Sequence, residues 1–523
     1  MTQSTDQTVN PNANPNLSQA AAETVKPTFL SSFKAYGDRR ALIMLFLGFS
    51  AGIPILLIFS SLSLWLREAG LDRSVVTLFS WAALGYSFKF VWAPLVDAMP
   101  VPWLGKILGR RRSWLLIAQL MVILAIAGMA LVNPVTPEAL TLMAAAAVLL
   151  GFSSATQDIV IDAYRIELAP ADLQSVLAAT YNAGYRIGMI VAGAGALYLA
   201  QIFGSTAESY SYDAWKLTYL IMAGVMGIGV LTTLIIREPV TGVIEPKPVT
   251  AYARLVLLFL ISVAAFVIGY RFFGSALTKP SDAPLLSFVF ETCRLGSATT
   301  VAGFTGYLLT LTGLVDKEVA RQTWVTPITD FFARYGSSAL LLLLLIGTYR
   351  ISDIVAGVIS NVFYQDMGFS KIEIANAVKL FGVIMTIAGG FLGGLLALRF
   401  KIMPAMMLGA VLASATNLLF ILLLQNSDSI FYLYLAVTMD NLASGLAGAV
   451  FIAFLSALTN IRFTAVQYAL FSSLMTLIPK VTGGYSGSIV DSFGYAPFFW
   501  FTALLGLPVL LLVYLVHKKD LVN

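Results

Sequence analysis

The chain has one cysteine, one histidine and little charge of either sign. Cys293 alone excludes an intramolecular disulfide and any multi-cysteine metal site. The only histidine, His517, lies at the C-terminal tail, so Cys293 has no histidine partner nearby in sequence. That counts against an integral-membrane enzyme such as an acyltransferase, which needs a nucleophile and a base. Charged residues make up 11% of the chain, against about 25% in soluble domains, which excludes an ordinary soluble fold. No signal peptide is expected, because the first apolar run begins only at Ala41 and continues as a spanning helix.

Apolar residues are plentiful instead, at 58% of 523 residues. Runs long enough to cross a bilayer recur from Ala41 to Val516, more than a globular core could bury. Their continuity argues against a membrane β-barrel, whose strands alternate. An all-α polytopic membrane protein is the fold class expected. The runs predict helices near 42–66, 74–96, 113–133, 139–166, 173–203 and 215–236. Two more are predicted near 251–272 and 285–314. Six follow near 338–365, 372–398, 402–425, 429–459, 463–490 and 495–517, fourteen in all.

Weak internal repetition organises these segments. The turn Trp65–Ser74 parallels Phe363–Ile372, and Leu168–Gln174 parallels Leu458–Thr464. Both matches imply two parallel six-helix halves. The expected division is a disordered cytoplasmic tail at 1–40, a first half at 41–236, a linker with two extra helices at 237–336, a second half at 337–517 and a cytoplasmic tail at 518–523. With the N-terminus inside, nineteen Lys and Arg fall in cytoplasmic segments and six on the other side. The positive-inside rule then puts both termini in the cytoplasm, so the net charge of +5 reads as topology and no nucleic-acid partner is expected.

Charge inside the spans points to function, since an ionised group at bilayer depth costs a few kcal/mol or more. The helix near 139–166 carries Gln157, Asp158, Asp162 and Arg165, with the three charges near one face. Asp158 and Asp162 are the candidate proton-coupling carboxylates, with Arg165 and Arg186 as modulators. The competing reading of Asp162 and Arg165 is a structural ion pair. Gln157 suits hydrogen bonding to sugar or amide groups, or a bond between helices.

Counting all spans, seven bases (Lys89, Arg165, Arg186, Arg294, Arg350, Lys379 and Lys480) face five acids (Asp158, Asp162, Glu291, Asp353 and Asp440). A cationic interior suits an anionic substrate. Candidate substrate-binding residues are Gln157, Lys89, Arg186, Arg350, Lys379, Asp440, Asn441 and Lys480. Arg350 and Asp353, three apart, are also placed to pair locally. Glycines 184, 188, 193, 195, 389, 390, 393 and 394 read as close helix packing. Asp97 with Arg110, Arg111 and Arg112 forms a helix-end acid facing a basic turn, able either to gate a rocking transporter or to anchor the loop.

The six-plus-two-plus-six pattern and the Asp97…Arg110–Arg112 element resemble the major facilitator superfamily, whose substrates sit near the midplane between the halves. Within it, Gly48–Pro54, Phe88–Pro94, Arg110–Trp114, Ala155–Ala163, Gly184–Gly188, Asp440–Gly445 and Ala465–Leu470 resemble the AmpG-type muropeptide permeases. The motifs of this resemblance imply Tyr185 and Gln467 as further substrate-binding residues. The likeness spans about 40–515 and departs at Thr156, where serine is expected, and in the Asn-rich tail.

The resemblance implies a transporter of the bacterial inner membrane that imports N-acetylglucosaminyl-1,6-anhydro-N-acetylmuramyl peptides from periplasm to cytoplasm. It implies drive by proton motive force, a role in peptidoglycan recycling and, where the regulator exists, in β-lactamase induction. Protons would be the coupling ion, with no cofactor or metal. The expected partners are an anionic glycopeptide and membrane lipid, and the expected assembly is a monomer. Acetyl-CoA carriers and siderophore-related permeases in the same family leave the solute open, and a channel is a further alternative.

Overall fold

The computed structural model describes residues 34–71, 79, 82, 84–206, 209–239, 248–276, 284–427, 429–483 and 485–522. Among them twelve helices are long and apolar enough to cross a membrane. The first half contains α1 (Arg39–Glu68), three short pieces together called α2 (Leu84–Phe88, Lys89–Val91 and Ala93–Ala98), α3 (Arg110–Ala130), α4 (Pro137–Leu168), α5 (Ala171–Ile202) and α6 (Tyr212–Ile235). The linker contributes α7 (Val249–Ala276), α8 (Pro284–Leu311) and the short α9 (Thr326–Tyr335). The second half contains α10 (Ser338–Thr348 and Ile351–Asp366), α11 (Ala375–Phe400), α12 (Ile402–Gln425), α13 (Ile430–Leu458), α14 (Ile461–Lys480) and α15 (Tyr495–Lys518).

Fourteen spans are not reached among the described residues. The run expected at 74–96 is helical only in short pieces from Leu84 onward, and 72–78, 80, 81 and 83 lie outside the described residues. Helix α8 has the length, 28 residues, but Gly, Ser, Thr and Ala around Arg294 dilute its hydropathy. Residues 1–33 also lie outside the described chain.

Local chemistry sets the helix ends. Asp38 caps α1 by accepting from Arg40 N at 2.8 Å, and Arg40 beside it holds that carboxyl below the usual carboxylate range. Thr136 caps α4 ahead of Pro137, and Ala169-Pro170 stops the same helix. A 3₁₀ turn follows at Ala171–Leu173, and the corresponding turn after α13 is Ile461–Phe463.

Each half has its own apolar core. Trp65 and Trp215 stack at 5.7 Å in the first, with Tyr219 alongside. Phe363, Phe420 and Phe499 gather in the second. The linker helices pack on α2 through Leu95, Tyr252, Leu255 and Val315.

Lipid offers no hydrophobic drive for helix association, so close backbone approach does that work. A Cβ on Gly184 would lie 1.9 Å from Leu45 O, and one on Gly188 2.2 Å from Phe49 O, so α1 and α5 cross backbone to backbone. Gly389 and Gly393 play the same part between α11 and α13, at 2.1 Å from Leu442 O and 2.6 Å from Leu446 O. Gly195 differs, because a Cβ there meets only Val191 of its own helix at 3.9 Å. Replacing Gly184 with Ala is expected to cost more than ~1–3 kcal/mol, the usual overpacking range, because backbone must move. Gly195→Ala should be neutral or slightly stabilising. Thermal unfolding midpoints of the two variants in detergent check this contrast.

Candidate functional site

Two charged clusters face the middle of the bundle, one from each half. In the first, Lys89 leaves the break in α2 and is only 8% exposed. Its Nζ lies 3.6 Å from Asp162 Oδ2, and Arg165 Nη2 lies 3.5 Å from Asp162 Oδ1. Both separations exceed the length of a charge-assisted hydrogen bond. Asp162 is thus held between two cations without being locked to either.

Arg165 spends its hydrogen bonds elsewhere. Its Nη1 donates to Gln174 Oε1 at 2.9 Å and to Ser456 Oγ of α13 at 2.8 Å. The guanidinium also lies 5.1 Å from the Tyr468 ring centroid. It is therefore more a tie between the halves than a simple partner of Asp162.

Gln157 and Asp158 sit one turn further into the bundle. Gln157 is fully buried, and its Nε2 reaches Ser50 Oγ at only 3.5 Å. Its Oε1 and Asp158 Oδ1 are buried acceptors without a donor. Such groups cost about 1–3 kcal/mol each when left unmet. Tyr181 and Tyr185 of α5 lie within electrostatic reach of Asp158. Nearby, Tyr86 bonds Ser154 at 2.5 Å and Trp92 Nε1 donates to Thr156 Oγ1 at 3.1 Å, which fixes that wall.

In the second half Arg350 occupies the break in α10 and pairs with Asp353. Its Nη2 also donates to Ser444 Oγ at 3.0 Å. Gly448 makes this possible, since a Cβ there would lie 3.0 Å from Arg350 Nη1. Asp440 is within electrostatic reach of both Arg350 and Asp353. Arg186, from α5 of the other half, is within reach of the same pair and makes no described ion pair or side-chain hydrogen bond. Arg350, Asp353 and Ser444 are thus in contact, with Asp440 and Arg186 within electrostatic reach of them.

Other expected site residues fall elsewhere. Asn441 ties α13 to α11, its Oδ1 accepting from Thr386 at 2.8 Å and its Nδ2 donating to Val437 O at 2.8 Å. Gln467 is consumed by Arg334, Asn460 N, Pro327 O and Asp330, which fasten α9 to the start of α14. Its amide has no capacity left for a substrate. Lys480 is exposed near the end of α14, a helix that packs on the part of α10 flanking Arg350 and Asp353. The side chains of Lys379 and Glu291 lie outside the described residues.

The basic end holds a third cluster. Arg111 is fully buried, and its Nη2 reaches Asp97 Oδ1 at 2.7 Å, Glu167 Oε1 at 2.5 Å and Thr464 Oγ1 of the other half at 2.7 Å. Thr464 donates to Glu167 Oε1 at 2.5 Å, while Asp97 Oδ2 accepts from Ala465 N at 3.2 Å and Val466 N at 3.3 Å. Asp97 thereby caps α14, where a carboxylate complements the helix dipole. Arg110 flanks the cluster, donating to Asp97 O at 2.8 Å. Arg112 does not join it: Nε and Nη2 donate to Thr233 O and Leu234 O at the end of α6, so this residue anchors the loop.

The model of the Major Facilitator Superfamily matches residues 41–358. The chain belongs to that superfamily. A putative transporter AmpG 4 of Rickettsia felis is 30% identical over 486 residues, 93% of this chain and 98% of the relative. The anhydromuropeptide permease of Escherichia coli K12 is 29% identical over 481 residues, 92% of this chain and 80% of that protein. These place the chain among the AmpG-type permeases. The solved proton:xylose symporter XylE, bound to 6-bromo-6-deoxy-D-glucose, aligns with a TM-score of 0.57 at 13% identity, covering 92% of this chain and 95% of its own. That likeness concerns the fold alone. As a member of the superfamily the protein is a multi-pass membrane transporter and not an enzyme.

In this superfamily member, sequence reasoning missed Glu167, Glu238, Thr464, Ser456 and Tyr468. Glu167 lies just past the expected helix end at 166, where it reads as loop. A usable signal was present: Asp97 alone cannot neutralise the adjacent Arg110 and Arg111, so a second acid was needed. Glu238 accepts from Arg111 N at 2.7 Å and Arg112 N at 3.0 Å, capping α3. Gly109, at φ 88°, leaves the room that a Cβ would take, 2.4 Å from the Glu238 side chain.

Breaking a buried pair by removing one partner costs about 3–5 kcal/mol, because the remaining charge is stranded. Glu167→Gln should therefore release the basic end. A cysteine at Val466, buried beside Asp97, should react with a membrane-impermeant maleimide several-fold faster in the Glu167→Gln background. Unchanged labelling would mean that this cluster does not hold the halves.

Proposed function

We propose that the protein is a proton-coupled importer of anhydromuropeptides, the N-acetylglucosaminyl-1,6-anhydro-N-acetylmuramyl peptides, working by alternating access in the bacterial inner membrane. The names of the relatives support the solute class. The observation that carries the coupling is the buried Gln157–Asp158 pair, whose Oε1 and Oδ1 have no donor, beside Lys89 and Asp162. A proton on Asp158 supplies one missing donor. A substrate acetamido N–H or hydroxyl supplies the other. Proton and sugar would thus meet neighbouring residues of one helix, which gives their binding a physical reason to be linked.

Arg186 and Arg350 suit the carboxylates of the stem peptide, since a guanidinium can accept a second carboxylate while paired. They come from opposite halves, so a bound anion favours their approach. The charge bias of the loops supports an orientation with both termini and the Arg111 cluster on the cytoplasmic side. The state described is then closed to the cytoplasm, ready to load from the periplasm. Protons serve as the coupling ion without other cofactors, and the working unit is a monomer.

The same cationic pair favours a second reading, a carrier of another anionic solute such as acetyl-CoA or a siderophore. Proteoliposomes separate the two. Labelled anhydromuropeptide should accumulate under an inward proton gradient, collapse with uncoupler, and be competed by excess unlabelled muropeptide but not by acetyl-CoA or a neutral disaccharide. Asp158→Asn should keep its thermal stability and lose concentrative uptake at least tenfold. Uncoupler-sensitive uptake at the normal rate in that variant would overturn the assignment of Asp158.

A further inference from the structure

The cavity with the clearest unassigned chemistry lies away from both central clusters. It measures about 530 Å³ and opens at the basic end of the first half, between the start of α1, the end of α4 and the end of α6. Three arginines, Arg39, Arg40 and Arg237, line it with two glutamates, Glu167 and Glu238. The remaining wall includes Ile43, Leu168, Ile236 and Tyr164.

Most of this charge is already answered. Arg40 pairs with Asp38 at 2.7 Å. Glu167 turns inward to Arg111, Arg110 and Thr464. Both oxygens of Glu238 accept from the first amides of α3. Tyr164 donates to Arg237 O at 2.9 Å, so its hydroxyl proton is committed.

Arg39 and Arg237 remain. Both are exposed, and neither side chain makes an ion pair or hydrogen bond among the described residues. Their level is also fixed, because Arg39 begins one spanning helix, Ile235 ends another and Leu168 ends a third. Two unpaired guanidinia therefore flank an apolar-walled cleft at the depth where a bilayer passes from hydrocarbon to headgroup.

We propose that this cleft binds the phosphate of an anionic phospholipid headgroup through Arg39 and Arg237, with the acyl region lying against Ile43 and Ile236. Guanidinium recognises phosphate by paired N–H donors, and two such groups outmatch a zwitterionic headgroup whose amine would meet them. The apolar wall selects an amphiphile over free phosphate. This site is independent of the transported solute, because it shares no residue with Lys89, Asp158, Arg186 or Arg350. A bound headgroup would sit beside Glu167 and Glu238, the two carboxylates that steady the start of α3.

The test uses the full chain in nanodiscs of phosphatidylcholine alone or with phosphatidylglycerol, read by thermal unfolding. A second readout is the number of phosphatidylglycerol molecules retained in native mass spectra. Wild type should gain several degrees with phosphatidylglycerol and retain one more copy than the Arg39→Gln/Arg237→Gln double variant. The variant should match wild type in phosphatidylcholine, since neither side chain has a protein partner to lose among the described residues. If it does not fold, Arg237→Gln alone, with the retained-lipid count, carries the comparison. Inorganic phosphate added to the phosphatidylcholine discs should leave the midpoint unchanged. Arginine-dependent stabilisation by phosphate would overturn the lipid assignment in favour of a soluble phosphate ligand. Equal phosphatidylglycerol gain and equal retained lipid in wild type and variant would overturn the site itself.

Discussion

One fully buried arginine holds the observed state together. Arg111 brings a guanidinium to the seam between the halves, where an unpaired ion would cost several kcal/mol. Asp97 and Glu167 from the first half and Thr464 from the second answer it together. Both carboxylates belong to the same half as Arg111, so separation at this end breaks the bonds that Arg111 and Glu167 make to Thr464. The Asp97 carboxylate adds to the penalty, since the first amides of α14 lose their cap in the same movement. Around this point Arg165–Ser456, Ser175–Gly394 and Tyr36–Phe391 join the halves by further bonds at the same end. A set of contacts that forms or breaks as a unit is what a two-state rocking transporter needs.

The central cluster of the first half has the opposite character. Asp162 lies between Lys89 and Arg165 at 3.6 and 3.5 Å, and Asp158 and Gln157 keep unmet acceptors. In the proposed mechanism, loose electrostatics there serve binding and tight hydrogen bonding at the seam serves closure. The tightly crossed pairs α1–α5 and α11–α13 frame the space between, so that motion at the seam is carried by whole halves rather than by single helices.

Much of this was legible in the sequence, for identifiable reasons. Hydropathy found the spans because lipid permits only closed hydrogen-bonded backbones. Spacing put Asp158, Asp162 and Arg165 near one face, and the isolated lysine Lys89 is buried beside Asp162. Twelve of the expected runs are candidate spans among the described residues, while α2 breaks into pieces and α8 is diluted by small and polar residues. What sequence could not supply was pairing across distant segments. Arg165 spends its bonds on Gln174 and Ser456 rather than on Asp162. Gln467 looked like a free amide, yet four groups from the linker and the neighbouring turn consume it. Glu167 was passed over because a charged residue at a helix end usually reaches water, and here its side chain turns inward to Arg111.

Reciprocal movement of the two ends is the central claim, and paired distance measurements test it most directly. Spin labels at the exposed positions Trp103 and Ile461 report the Arg111 end, and labels at Ile202 and Phe493 report the other. Adding anhydromuropeptide at acidic pH should lengthen the first distance and shorten the second within one population. Distances that stay fixed, or that lengthen together, would contradict alternating access governed by this seam.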